Sequence, residues 1–417
     1  MMSHVRMVPE TPPEWGYRVK YVVIILDGAS DLPLEELGGR TCLQVAATPN
    51  LDAMAAEGMI GLARTVPEGV EPSSSAACMS ILGYDPLAEY IGRGAIEAAS
   101  MGIELRPDQV ALRLNLVALA DDRMASYSGG HIPTAQSREV ISELAAALDD
   151  DTFRLYPGVA YRHILVVTGH PELVDLDYTP PHDIPDELVA LHVPRGDGAA
   201  LLLDYMERAR AVLSAVSVNA DRRSRGELPV TDVWPFWPGI RPLAVTSFAE
   251  RHGVSAAMTS GVDLLGGLAA LTSIRRLQID GVTDGPDNDY DAQAKGAIEA
   301  LGEGDLVVIH VESPDEAGHA GDLAGKIAAI EAIDERVVAR VRELAATQDI
   351  RVLAMPDHAT PITLRTHVGD PVPFVIWGRG VDASGIAGYD EVAAKQSGLL
   401  VDPGRRIMDL LIGKPAD

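Results

Sequence analysis

Residues 21–26 read Tyr-Val-Val-Ile-Ile-Leu and end in Asp27-Gly28, and this run constrains the fold more than any other stretch. Apolar, mostly β-branched residues without alternation describe a strand buried on both faces, as found in parallel sheets covered by helices on either side. In an open α/β sheet, ligands gather at the carboxyl edge of the strands, where this run presents Asp27. Residues 307–311 (Val-Val-Ile-His-Val) repeat the pattern ahead of Asp315, and residues 350–354 (Ile-Arg-Val-Leu-Ala) lead into Asp357-His358. Three strands thus deliver acids and imidazoles to one sheet edge. The candidate ligands fall in two blocks, 27–74 and 315–367, so the sheet is completed from both ends of the chain and something is inserted between them.

The segment His310-Val-Glu-Ser-Pro-Asp315-Glu-Ala-Gly-His319, with Asp357, His358 and His367, mixes carboxylate oxygens with imidazole nitrogens. That mixture suits Mn²⁺ or Zn²⁺ better than Ca²⁺. Asp315, His319, Asp357, His358 and His367 are more ligands than one catalytic ion usually takes, because a working ion keeps a position open. Two ions are therefore expected, and two-metal sites carry out phosphoryl displacements. Ser73-Ser74-Ser75 opens a short helix that Gly83 and Asp85-Pro86 terminate. A serine at a helix start lies beside unpaired backbone N–H groups that favour a phosphate ester. A divalent ion on its oxygen would activate it without a histidine base. Taken singly, the serines read as an N-cap and each Asp or His as a turn former; their coincidence is what points to chemistry.

These residues resemble the cofactor-independent phosphoglycerate mutases of the archaeal type, members of the alkaline-phosphatase superfamily. Asp27-Gly28, the serine loop running into Leu82-Gly83-Tyr84-Asp85-Pro86, and Pro314-Asp315 through His319 carry the likeness. So do Asp357-His358-Ala-Thr360-Pro361 and His367 followed by Asp370-Pro371-Val-Pro373. The resemblance implies an α/β fold: an alkaline-phosphatase-like three-layer core with a mainly parallel sheet, plus an inserted smaller α+β domain. It implies two divalent metal ions (Mn²⁺, Mg²⁺ or Zn²⁺), one held by Asp315, His319 and His367, the other by Asp27, Ser74, Asp357 and His358. Ser74 would be phosphorylated in mid-cycle as 2-phosphoglycerate and 3-phosphoglycerate interconvert. Two departures stand out. The serine loop lacks the family's Gly-Ser-Asp, and Ser126-Tyr-Ser-Gly-Gly-His131 replaces Asp-Arg-Arg-Ala-Gly-Arg. Arginine grips carboxylate and phosphate with two parallel bonds, so its loss is not conservative. The replacement is closer to a sister branch proposed to act as homoserine kinases. A phosphatase or phosphonate hydrolase sharing the metal core, and a silent binding protein, are the further alternatives.

The insert is expected at 107–228, between core segments 18–106 and 229–417. Within it, residues 110–120 alternate like a strand, 137–148 have helical spacing, 164–168 read as a second strand and 197–216 as a helix. Residues 322–346 form a long amphipathic helix over the metal-bearing sheet. Arg162, His163, His182 and Asp183 match family stretches and are candidate substrate contacts, with Arg93, Arg222 and His131 beside them. A hydrophobic content of 47% excludes a largely disordered chain. The formal charge of -27 argues against nucleic-acid or anionic-membrane surfaces, so a small phosphorylated substrate is drawn in by local cations. Cys42 and Cys78 give no disulfide framework and fit a reducing cytoplasm. No run of apolar residues is long enough to span a membrane, and residues 1–17 lack the apolar core of a signal peptide. A soluble, cytoplasmic enzyme is expected.

Overall fold

The structure, a computed structural model, describes residues 19–89, 91–241 and 245–414, so the stretch read as lacking a leader's apolar core lies outside the described residues. The opening run forms the strand Lys20–Leu26, flanked in parallel by Leu306–Val311 and Ile350–Met355. Leu26 stands beside Val311 and Ile25 beside Met355, so all three chains leave the sheet at one edge. Five further strands complete an eight-stranded sheet, in which only Val372–Gly378 runs against the rest.

Alternate residues of the central strands enter two different cores. Val22, Ile24 and Leu26 pack with residues of the helices Pro49–Glu57, Tyr290–Glu303 and Leu323–Ile333. Val23 and Ile25 pack with residues of Ser74–Ile81, Asp263–Leu271 and Ile407–Ile412. This is the expected three-layer α/β core, and burial on both faces explains why the strand sequence does not alternate. Burying each such side chain contributes roughly 1.5–3 kcal/mol, so after Lys20 at its entrance the strand carries no charge until Asp27 at its carboxyl end.

The helix expected over 322–346 is helical throughout but not uniform. Leu323–Ile333 passes through a π-turn at Asp334–Val338 into Ala339–Ala345. Asp334 accepts hydrogen bonds from the backbone N–H groups of Asn50 and Leu51 at 3.1 and 2.8 Å, so it caps the helix Pro49–Glu57 from inside its own.

A second, antiparallel sheet is centred on Gln109–Ala120, which pairs with Arg123–Ser126, Arg162–Thr168 and Asp232–Ile240; Phe153–Val159 pairs with Arg162–Thr168. The sheet therefore draws a strand from beyond residue 228. Helices Thr134–Leu148 and Ala199–Leu213 share one core with it. The helix read over 197–216 stops at Leu213 because the Asn219 amide takes the Leu213 carbonyl at 2.8 Å, and a new helix, Ser217–Ser224, begins. On the other face Ala111, Ile164 and Val166 meet Ala98 of the helix Arg93–Ser100. Among the described residues no helix is long and apolar enough to cross a membrane.

Candidate active site

The carboxyl edge of the large sheet gathers the imidazoles, and their hydrogen bonds set which nitrogen is free. The Nδ1–H of His319 donates to the carbonyl of Arg365 (3.0 Å), and that of His367 to the carbonyl of Pro72 (3.2 Å). The Thr360 hydroxyl donates to Asp315 Oδ1, which leaves its oxygen to accept from His358 Nδ1 at 3.3 Å. All three rings thus turn an Nε2 lone pair inward, the arrangement that outer hydrogen bonds impose on metal-binding histidines. His319 Nε2 lies 2.9 Å from His367 Nε2 and 3.2 Å from Asp315 Oδ2; His367 Nε2 lies 3.5 Å from Asp315 Oδ1. Two lone pairs facing at that distance repel, and either a proton on one ring or a divalent ion held by both relieves it. Asp315 raises the His319 imidazole to about 9. Burial would raise Asp315 itself, but His319 and His367 outweigh it and hold the carboxyl well below its usual range.

The second group surrounds Ser74. Ser73 caps the helix Ser74–Ile81 by accepting from Ala76 N–H, which places Ser74 in the first turn with its Oγ 3.2 Å from His358 Nε2. His358 Nε2 is also 3.5 Å from Asp27 Oδ1 and 3.3 Å from Asp357 Oδ2. Asp357 Oδ1 is fixed by the N–H groups of Gly28 and His358. Asp27 is fully buried and neither of its oxygens accepts a hydrogen bond. His310 Nε2 is 2.8 Å from Oδ2 but lies off the bonding direction. Burial first, then Asp357 and Asp315, push the Asp27 carboxyl well above the ordinary range. An unpaired carboxylate beside other carboxylates in a dry site is costly without a cation. Ligand-type atoms converge here as Asp27–Asp357–His358 and there as Asp315–His358–His367, so the donor set fits divalent ions.

A cavity of about 130 Å³ opens between this core and the antiparallel sheet. Arg93, Arg162 and His163 line it, with Glu97 and Arg113 from the second sheet's side and Gly261, Val262 and Asp284 from the core. Glu97 accepts from Arg93 at 2.9 Å and from Arg113 at 2.7 Å, and the Arg93 guanidinium lies 3.9 Å over the Trp237 ring. The His182 ring is 5.4 Å from Trp237 on the same edge, and the exposed Asp183 is 3.8 Å from His182. His163 is buried and its Nδ1 accepts from Gly158 N–H, so it braces a loop and reaches the cavity only at its wall. His131, His182, Asp183 and Arg222 are not among the lining residues, and neither is Ser74. His131 is exposed at φ 52° on a turn. Arg222 is buried and donates to the carbonyls of Leu228, Gly129 and Gly130, so it holds that turn from behind.

Sequence reasoning missed His310, Glu312, Thr360 and Arg113. His310 is buried in its strand; its Nδ1 is 3.0 Å from the Ser260 hydroxyl and its Nε2 faces Asp27. Burial, then Asp27, raises Glu312 well above its usual range. The signal available for both was their place in the segment that also carries Asp315.

The sequence profile of the family described as 2,3-bisphosphoglycerate-independent phosphoglycerate mutase matches residues 55–219. A protein of that name from Methanothrix thermoacetophila is 44% identical over 94% of this chain and 100% of its own length. A solved protein from Pyrococcus horikoshii is 26% identical, covers 96% of this chain and 99% of that one, and superposes with a TM-score of 0.82. The cofactor-independent phosphoglycerate mutase of Thermoplasma acidophilum is 28% identical over 95% of this chain and 99% of that chain, with a TM-score of 0.65. The chain belongs to the 2,3-bisphosphoglycerate-independent phosphoglycerate mutase family.

Proposed function

We propose that the protein interconverts 2-phosphoglycerate and 3-phosphoglycerate through a phosphoserine at Ser74, with two divalent ions as cofactors. The observation that carries this reading is Ser74 Oγ at a helix start, 3.2 Å from His358 Nε2, inside a convergent set of ligand atoms. Asp315, His319 and His367 would hold one ion; Asp27, Ser74, Asp357 and His358 the other. When bound, the ions neutralise the carboxylates, lower the pKa of the serine and offset charge on the transferring phosphoryl group. Ser74 Oγ attacks phosphorus and the ester oxygen leaves as the glycerate hydroxyl. The glycerate then turns, and its other hydroxyl attacks the phosphoserine, regenerating Ser74. Arg93 and Arg162 line the cavity beside the antiparallel sheet, whose lining does not include Ser74, and would orient the carboxylate end. We place the inserted unit at about 107–240, one strand longer than first expected, because Asp232–Ile240 pairs into its sheet. Its role is to retain the glycerate and exclude water.

A second reading, transfer to another alcohol such as homoserine, is favoured by the turn at 126–131. There Ser126 and Ser128 hydroxyls accept the N–H groups of Gly130 and His131, and Tyr127 packs edge-on to Tyr161 and His182. No arginine stands in that turn to grip a carboxylate. Phosphorus NMR of Mn²⁺-loaded protein with 3-phosphoglycerate separates the readings. Growth of the 2-phosphoglycerate resonance, absent in Ser74→Ala, is the expected result. A silent spectrum from metal-loaded wild type would reject the mutase and direct the assay to amino-alcohol acceptors; net inorganic phosphate would mark a hydrolase.

A further inference from the structure

Lys326 is fully buried, yet it sits on a helix that carries no ligand. Its Nζ donates to Asp31 Oδ2 at 2.8 Å, to the carbonyl of Ser30 at 3.1 Å and to the carbonyl of Thr360 at 2.8 Å. An ammonium has three N–H groups, so every one is used. Ser30 and Asp31 lie on the turn that follows Asp27 after the first strand; Thr360 lies with Asp357 and His358 on the turn that leaves Ile350–Met355. Lys326's own helix begins just after His319. One ammonium therefore ties together three of the ligand-bearing segments. Thr360 carries the connection onward. Its N–H donates to the same Ser30 carbonyl at 3.3 Å, and its hydroxyl joins Asp315 of one ligand group to His358 of the other.

We propose that Lys326 and Thr360 form a clamp that positions the two ligand groups relative to each other; they are positioning residues, not catalytic ones. The inference rests on the two-ion reading above. Packing alone gives no reason for the charge, because an apolar side chain of similar volume in place of a buried ion pair is often neutral or stabilising. Nor does Asp31 need the lysine to be satisfied by donors: the N–H groups of Leu32 and Ile362 and the Cys42 thiol reach it as well. What only an ammonium at this point supplies is simultaneous donation to two carbonyls on different metal-bearing turns. If that link is lost, Thr360 is free to shift, and with it the spacing between Asp315 and His358.

The test uses the neutral pair Lys326→Met with Asp31→Asn, and separately Thr360→Val, in the full chain. Melting of the chelated proteins controls for folding, calorimetry with Mn²⁺ counts ions and gives affinities, and electron paramagnetic resonance reads the magnetic coupling between two bound Mn²⁺ ions. The clamp predicts folded variants whose affinity for the second ion falls about 10–100-fold, the range seen when outer partners of metal ligands are removed. It also predicts an altered or absent coupled-pair signal, with kcat reduced and KM little changed. Should the double variant fail to fold, Thr360→Val decides, since it keeps the ammonium and its carbonyl acceptors. Variants with wild-type affinity and coupling overturn the clamp alone. Wild type that binds fewer than two Mn²⁺ ions overturns the two-ion reading, and the clamp with it.

Discussion

His163 shows how far a residue's role depends on surroundings that its sequence position does not display. Read from the sequence as a candidate substrate contact, it lies at 1% exposure in the cavity wall with Nδ1 accepting a backbone N–H. Burial, and then the Arg113 guanidinium, pull its imidazole down from 6.5 to about 3. The folded ring stays neutral where the unfolded ring charges, so the unfolded chain binds the extra proton. The contribution of His163 to stability is therefore present above pH 6.5 and is lost as pH falls from 6.5 toward 3. The slope within that window approaches about 1.4 kcal/mol per pH unit. Urea unfolding of wild type and His163→Gln at pH 7.5 and 5.5 checks this. The wild type should lose more stability than the variant on acidification, and parallel losses would show that another group carries the effect.

At the scale of elements, the strand ends explain both what was legible and what was not. The runs 21–26, 307–311 and 350–354 could be read because strands buried on both faces leave no polar alternation and end abruptly in acids and imidazoles. Asp27, Asp315, His319, Asp357, His358 and His367 stood out because that mixture at strand ends has few structural uses. Lys326 stayed hidden: a lysine on an amphipathic helix reads as solvent-facing, and only the tertiary position of Asp31 and two carbonyls reverses that. Arg222 is the opposite case, since its polar segment concealed that it donates to the carbonyls of a distant turn. Gly28 turns the same argument into a test. It follows Asp27 at φ 62°, and a Cβ there would come 2.4 Å from Asp315 Oδ1. The left-handed backbone costs a non-glycine residue only roughly 1–2 kcal/mol. The contact, however, pushes directly on a ligand. Gly28→Ala should therefore fold, yet lose about tenfold or more in Mn²⁺ affinity by calorimetry. Unchanged affinity would mean that Asp315 has room to move without consequence.

For the whole molecule, the question is what separates a mutase from a phosphatase built on the same core. A phosphoserine meets either the glycerate hydroxyl or water, so the outcome depends on how well water is excluded from Ser74. The helix Arg93–Ser100 links the two sheets, because it touches both. Ile96 enters the core cluster, while Ala98 packs under the antiparallel sheet. Its backbone approaches that sheet closely. A Cβ on Gly94 would lie 2.3 Å from the Ala111 carbonyl and 2.6 Å from that of Trp237. Neither neighbour is a flexible tip, so Gly94→Ala must push the sheet outward and shift Arg113 and Arg162 in the cavity wall. Misplacement by about 1 Å costs on the order of 100-fold in turnover. Water, needing no orientation by arginine, suffers less. Gly94→Ala should therefore lose mutase turnover while releasing inorganic phosphate from 3-phosphoglycerate, followed in one tube by phosphorus NMR. Loss of turnover without phosphate release would show that the core shields the phosphoserine by itself and that the insert serves binding alone.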